Sequence, residues 1–455
     1  MDLKKSLMKV FGANFISLIV SVVNGLLIPA FLEIEEYALL KTYTLFISYV
    51  GILHFGFLDG IFIKYGGKNK EKINLSQLKY EHDLIFYMQF LLTLISLLIG
   101  IILKDIIIIA FSLSIIPINM KTFYSFIFQA LGEFNLFAKI TYMFPITMLT
   151  LNLFFIYIVK INNYIPFVIA NLSSYYIIFI VFEFKYRKLF KTEISEKVNY
   201  KLIFMSGIFI MLGNLANKVF YSLDRWFVKF LLSVENFAFY SFAISMMSVI
   251  NVLISSISMT FYPYLSKGYS INQIKKIKSY LIIIGAIASS GYFVLSFIVN
   301  EFLQKYSSSL SIIAILFVGF PVTTVINSLY VNLYKVNKTE KKYFFVVLKM
   351  VVNSFVFNII AILISKNIYS IAIATSLSFY FWFFYSAKDF DGLKTNIKEI
   401  VFLTLYAPLF LFSSNYMNYI NGFLIFFIGI FLLVYFMYKK EFRELINKII
   451  KKPSE

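Results

Sequence analysis

Asn214, Lys218, Tyr221 and Arg225 follow one another at i, i+4, i+7 and i+11, with Asp224 beside the last. On a continuous helix that spacing is one stripe of polar groups. The stretch holding most of it, NKVFYSLDRWFVKF (217–230), closes a long apolar segment. Cationic donors in such a place suit a polar anionic ligand, because a lysine or arginine binds phosphate oxygens strongly at low dielectric. The competing reading puts Asp224 and Arg225 at a membrane interface, where charge costs little, and lets Lys218 snorkel. Lys121 is a second candidate. It stands ten residues before the end of the apolar run 106–131, about 15 Å along a helix and near the midplane of a ~30 Å hydrocarbon core. A basic group that deep faces a wet cavity or a partner. His54 and Asp59, in HFGFLDG (54–60), either couple to protons, pair with a lysine, or form a satisfied polar pair near the inner interface. Pro117 and Pro321 break backbone bonds inside apolar runs, which serves either gating or packing.

These residues need elements to hold them, and composition says which. The chain is 60% apolar and 14% charged, with a mean hydropathy of +0.81. Soluble domains lie nearer half apolar and a quarter charged, so this is an integral membrane protein. Apolar runs of some twenty residues recur throughout, and in lipid runs of that length are helices. We read spans 1 to 6 at Leu7–Phe31, Tyr37–Leu58, Asp83–Leu103, Ile106–Leu131, Phe137–Val159 and Tyr164–Phe184. Spans 7 to 12 are Lys201–Leu223, Phe237–Phe261, Ser279–Val299, Ser309–Asn332, Tyr343–Ile364 and Ile368–Tyr385. Spans 13 and 14 are Ile397–Asn415 and Tyr419–Met437. The basic start (Lys4, Lys5, Lys9) resembles a leader, but no small-residue cleavage site follows, so span 1 is read as a helix.

Loop charge tests the count independently. Of 42 Lys and Arg, 32 fall in the N-terminal segment, loops 2–3, 4–5, 6–7, 8–9, 10–11 and 12–13, and the tail; seven fall in the alternate loops. A missed or invented span would scramble this alternation, so both termini are expected to be cytoplasmic. The same dispersal explains the net charge of +19 as contact with an anionic leaflet rather than with nucleic acid. In the tail, Phe442, Leu445, Ile446 and Ile449 share a face, as in a helix lying on the inner membrane surface.

An internal repeat organises the spans. FLEIEEYA (31–38) and LLSVENFA (231–238) match at Leu32/Leu232, Glu35/Glu235 and Ala38/Ala238, and Pro117 and Pro321 are 204 residues apart. Spans 1–6 (residues 1–184) and 7–12 (201–385) then form two parallel-related halves joined by the basic linker 185–200. Spans 13 and 14 (395–437) are appended, and 438–455 is the tail. Two such bundles can enclose a central cavity within one chain, which makes a monomer the expectation.

Several classes are excluded. There is no cysteine, and His54 and His82 alone make a histidine metal site implausible. No GxxxxGK[ST] phosphate loop is present, and no outer loop is long enough for a catalytic domain, so no enzyme, cofactor or metal is expected. No carboxylate stands at mid-span, where pumps for cations commonly place one.

At this point the residues resemble a family. The fourteen spans, LDRWFVKFLLSVENFAFYSFA (223–243) and TFYPYLSKG (260–268) resemble the polysaccharide-transporter family of Wzx-type flippases, within the superfamily that also holds multidrug and toxin extruders. Its Asp-Arg pair and aromatic-Ala step are matched by Asp224, Arg225, Phe237 and Ala238, and FGFLDG (55–60) also fits; Asn236 stands where the family often has Gly. The resemblance implies a bacterial cytoplasmic-membrane flippase for O-antigen or capsule repeat units. Its substrate would be an undecaprenyl-pyrophosphate-linked oligosaccharide, moved by alternating access through a basic central cavity. A proton or cation gradient would drive the cycle, and polysaccharide polymerase machinery and membrane lipids would be its partners. A lipid II or teichoic-type precursor flippase and a multidrug or cation antiporter are the alternatives.

Overall fold

The computed structural model describes residues 3–68, 73–160, 162–190, 196, 199–439 and 441, which are helical with no strand among them. Eleven of the described helices are long and apolar enough to cross a membrane, and two bent pairs add a span each. Val234–Leu265, a 32-residue helix, occupies the place of span 8 and completes the fourteen-span pattern. The protein is therefore a multi-pass membrane protein. Its outward residues agree: Ile102, Leu363 and Ile364 are each at least three-quarters exposed, a face only lipid makes cheap.

The chain divides into two compact units, Met1–Leu215 and Ala216–Glu455, so the division falls inside span 7. In the first unit span 4 (Ile106–Ala130) is central, packed by spans 2, 3, 5 and 6. Asp105 caps it, accepting from the amides of Ile107 and Ile108 at 2.8 and 3.1 Å. In the second unit span 10 takes the same place against spans 8, 9 and 12, and spans 13 and 14 pack on spans 9 and 10. The repeat is thus visible within each unit. The step between spans 1 and 2 (Phe31 to Ile34) and that between spans 7 and 8 (Leu231 to Val234) have the same two-residue form, 200 positions apart.

Both central helices carry the matched proline, and each unit treats the freed carbonyl alike. Pro117 cannot donate to Leu113 O, and the Tyr176 hydroxyl of span 6 donates there instead at 3.0 Å. Pro321 frees Phe317 O, which accepts from Ser289 and Tyr406, each at 3.2 Å. Tyr380, 204 residues after Tyr176, donates to the adjacent Val318 O at 3.0 Å. The outcomes differ, however. Span 4 stays one helix, whereas span 10 bends by 49° between Ser309–Phe317 and Phe320–Val336.

Span 2 departs most from the expectation of one helix. It runs Ile34–Ile47, tightens over Val50–His54, and restarts as Phe57–Tyr65 after a 59° bend. Broken backbone in a membrane must find new partners. Asn119 donates to Val50 O and Gln89 to Leu53 O, at 3.3 and 3.0 Å, and Asn119 also donates to Gln89 at 2.6 Å. Gly56 supplies the positive φ of 83° at the restart. Gly56 and Gly60 then form a GxxxG face on which Gly207 of span 7 rests. A Cβ on Gly207 would lie 1.9 Å from Gly56 O and 2.4 Å from Gly60 N.

Three boundaries correct the sequence reading. Span 3 starts at Leu75, capped by Asn74, rather than at Asp83. Span 9 starts at Ile271 under a Ser270–Gln273 capping box rather than at Ser279. Hydropathy marks where a helix becomes apolar, not where it begins, and capped polar turns precede both. Span 7 ends at Phe220; Tyr221 and Ser222 form a turn, and a short helix, Leu223–Leu231, follows. The Ser222 hydroxyl bonds back to Lys218 O at 2.7 Å, a contact that favours bending. The amphipathic surface helix expected in the tail, and residues 191–195, 197 and 198 of the linker 185–200, lie outside the described residues.

Candidate functional site

Lys121 projects from the centre of span 4, one turn beyond Pro117. Its ammonium lies 4.5 Å from the centroid of Phe144 (span 5) and 5.3 Å from that of Tyr175 (span 6), two rings whose own centroids are 4.3 Å apart. The aromatic faces stabilise the cation. Among the described residues no carboxylate pairs with it. On the same side of span 4, Ser114 (seven residues back) hydrogen-bonds Tyr43 at 2.9 Å, and the Tyr43 hydroxyl donates to Asn171 at 3.1 Å. The first unit thus holds a polar band of Tyr43, Ser114, Asn171, Tyr176 and Lys121 around its central helix. In chemical terms it presents a cation that has no carboxylate partner among the described residues and is flanked by aromatic faces.

The stripe on span 7 is only half retained. Asn214 and Lys218 are exposed, one turn apart on the same helix face. Tyr221 lies in the turn and donates to Asn327 of span 10 at 3.1 Å. Asp224 and Arg225 fall on the following short helix, so the expectation of one continuous stripe is corrected: the Tyr221–Ser222 turn changes the register. Asp224 is buried and fully engaged. It accepts from Tyr240 at 2.8 Å, Thr375 at 3.3 Å and the Arg225 amide at 2.7 Å, tying the short helix to spans 8 and 12. The Arg225 Nε has no hydrogen-bond partner among the described residues.

His54 and Asp59 are both buried at the bend of span 2, with Nε2 and Oδ2 3.8 Å apart. The other ring nitrogen accepts from Gly56 N at 3.1 Å, and Asp59 stands in the first turn of Phe57–Tyr65, where a helix N-terminus favours negative charge. The pair is brought together as the spacing suggested, as an internal contact of the bend. Pro321 is packed tightly: a Cβ on Gly285 of span 9 would meet Phe320 O at 2.5 Å and Pro321 Cα at 2.7 Å.

Sequence reasoning missed a set of buried ion pairs. In the first unit Glu81, wholly buried, binds Lys64 at 2.6 Å and Tyr65 at 2.8 Å. His82 binds Glu183 at 2.9 Å, stacks on Tyr186, and shares Glu183 with Tyr124 and Arg187. In the second unit Lys278 binds Glu399 at 2.7 Å and Leu393 O at 2.9 Å. The signal was present in YEHD (80–83) and EFKYR (183–187). Assigning the first to a loop concealed it, whereas the helix from Leu75 turns Glu81 and His82 inward.

No family model matches the chain, and no curated protein matches it. Among solved structures it is similar to the lipid II flippase MurJ in an inward closed conformation, with a TM-score of 0.73 at 15% identity, covering 96% of this chain and 99% of that one. It also overlaps a Vibrio cholerae MATE transporter, VcmN, with a TM-score of 0.48 at 12% identity, covering 86% and 99%. At 15% identity the first likeness is one of fold, and it extends over nearly the whole length of both chains: this multi-pass membrane protein has the helical fold seen in that flippase.

Proposed function

We propose that the chain is a flippase for polyprenyl-pyrophosphate-linked oligosaccharides of the bacterial cytoplasmic membrane, working as a monomer by alternating access. The observation that carries the reading is Lys121: a cation at the centre of a membrane span, lacking a carboxylate partner among the described residues and flanked by Phe144 and Tyr175. A pyrophosphate supplies the counter-charge such a group needs at low dielectric, and aromatic rings suit sugar faces. Lys218 and Asn214, exposed on span 7, are proposed as further head-group contacts, and Arg225 as a third. The bends of spans 2 and 10 supply joints for the movement, with His54 and Asp59 at one and Pro321 at the other. A proton or cation gradient is the proposed energy source.

A cation antiporter is less well supported. The buried carboxylates Asp59, Glu81, Asp224 and Glu399 each meet a partner inside the chain, which leaves a cationic substrate poorly served. The lipid II reading has its own support in the fold shared with MurJ along 96% of the chain. The two are separated in a strain lacking the gene. Lipid-linked repeat units should accumulate on the inner leaflet while peptidoglycan precursors reach the outer leaflet normally. Accumulation of the peptidoglycan precursor alone would transfer the assignment to the second reading, and normal export of both would overturn the proposal.

A further inference from the structure

At one end of the second unit, three segments distant in sequence converge on a cavity of about 810 Å³. They are the first turns of span 9, the 392–399 segment that opens span 13, and the residues following span 14. Loop charge places all three on the cytoplasmic side, and their meeting around one cavity accords with that topology. Five lysines line it, Lys275, Lys276, Lys278, Lys394 and Lys398, against two carboxylates.

The carboxylates are already spent. Glu399 holds Lys278 at 2.7 Å, and Glu441 lies 3.5 Å from Lys398. The ammonium groups of Lys275 and Lys394 have neither an ion pair nor a hydrogen bond among the described residues, and both side chains are exposed. A second observation is independent of this charge. Tyr438 lines the cavity with 0% relative exposure, yet its buried hydroxyl has no hydrogen-bond partner among the described residues, and Lys398 Nζ rests 4.1 Å from its ring. A buried hydroxyl without a partner is costly, and an acceptor entering the cavity would satisfy it. Apolar surface adjoins these groups in sequence: Ile397 and Phe436 are about three-quarters exposed.

We infer that this cavity binds the phosphate of an anionic phospholipid headgroup from the inner leaflet, with Lys275 and Lys394 as its charge partners and Tyr438 as a neutral donor. The volume suits a small headgroup. Basic pockets between helices on the cytoplasmic side are where such headgroups dock, and the exposed Ile397 and Phe436 give the acyl chains a surface. This site lies on the appended helices and does not depend on Lys121 or on what the protein transports.

The test uses the purified full-length chain in neutral detergent, titrated with phosphatidylglycerol, phosphatidylcholine of the same chains, or inorganic phosphate, with binding followed by native mass spectrometry. Saturable binding of phosphatidylglycerol and much weaker binding of phosphatidylcholine are expected. The double variant Lys275→Gln/Lys394→Gln should bind phosphatidylglycerol roughly 30-fold more weakly. Its lipid-free melting temperature should be unchanged, since both side chains are exposed. Tyr438→Phe should weaken binding several-fold. An equal loss in the control Lys104→Gln/Lys366→Gln, which removes two exposed lysines elsewhere, would overturn the site. So would undiminished binding by the Lys275/Lys394 variant. Displacement of phosphatidylglycerol by low millimolar inorganic phosphate would assign the cavity to a soluble anion and overturn the lipid assignment.

Discussion

Replacing Glu399 by alanine removes two things at once, and the structure allows them to be separated. The first is the ion pair with Lys278, formed at 2.7 Å between side chains only 1% and 6% exposed. Breaking a pair so buried strands the remaining ammonium, at a cost of about 3–5 kcal/mol. Lys278 keeps Leu393 O at 2.9 Å and the Phe383 ring at 4.9 Å, which argues for the lower half of that range. The second loss is the capping box of span 13, in which Asn396 Oδ1 accepts from Glu399 N and Glu399 accepts from Asn396 N. That contributes about 1 kcal/mol. Glu399→Gln retains an acceptor for the cap and removes only the charge. Thermal unfolding in detergent should therefore rank Glu399→Ala below Glu399→Gln and both below the parent. At about 2–4 °C per kcal/mol for a unit of this size, Glu399→Ala should lose roughly 8–20 °C. Lys278→Met with Glu399→Gln should recover most of the loss, because two neutral groups replace a stranded charge. Melting temperatures that fall by the sum of the two single losses, or an unaltered Glu399→Ala, would refute the reasoning.

Other perturbations probe the proline sites, the glycine crossing and span 7. Tyr176→Phe removes the donor that satisfies Leu113 O and should cost about 1–3 kcal/mol in thermal stability. Adding Pro117→Ala, which restores the backbone donor, should return much of it. Gly207→Ala places a Cβ 1.9 Å from Gly56 O and should lower the melting temperature by several degrees or abolish expression, at about 1–3 kcal/mol or more. Gly12→Ala, with no atom within 4 Å of the new Cβ, is the control that should not. Lys218→Ala, at an exposed position, should leave the melting temperature within about 1–2 °C of the parent and lower transport. Unchanged transport in that variant would remove Lys218 from the head-group contacts.

Periodicity and charge made much of the fold legible. Apolar runs located fourteen spans and the alternation of basic loops supported the count, and the two-residue steps after Phe31 and Leu231 match the repeat read from FLEIEEYA and LLSVENFA. What escaped was tertiary. Glu183 lies 101 residues from His82, and Glu399 lies 121 residues from Lys278, so neither pairing has a local signature. Helix starts escaped for a different reason. Residues 75–82 and 271–278 are polar enough to read as loop, but their caps at Asn74 and Ser270 set the backbone in helix before the apolar run begins. The Tyr221–Ser222 turn was likewise hidden, because the residues around it keep helical spacing in sequence while the backbone does not. Lys121 was found because nothing local could pair with so deep a charge; its aromatic neighbours Phe144 and Tyr175 could not be chosen from among 55 Phe and 33 Tyr.

The central claim rests on Lys121 and is tested most directly in proteoliposomes holding a fluorescent polyprenyl-pyrophosphate-linked oligosaccharide. Its passage between leaflets would be measured for the parent, Lys121→Ala and Lys121→Arg, at matched protein content and with matched melting temperatures. Loss of a charge-assisted contact to pyrophosphate is worth about 1.5–3 kcal/mol, so Lys121→Ala should flip the lipid roughly ten- to a hundredfold more slowly, with Lys121→Arg retaining much of the rate. A Lys121→Ala protein that flips the lipid at the parental rate would contradict the account.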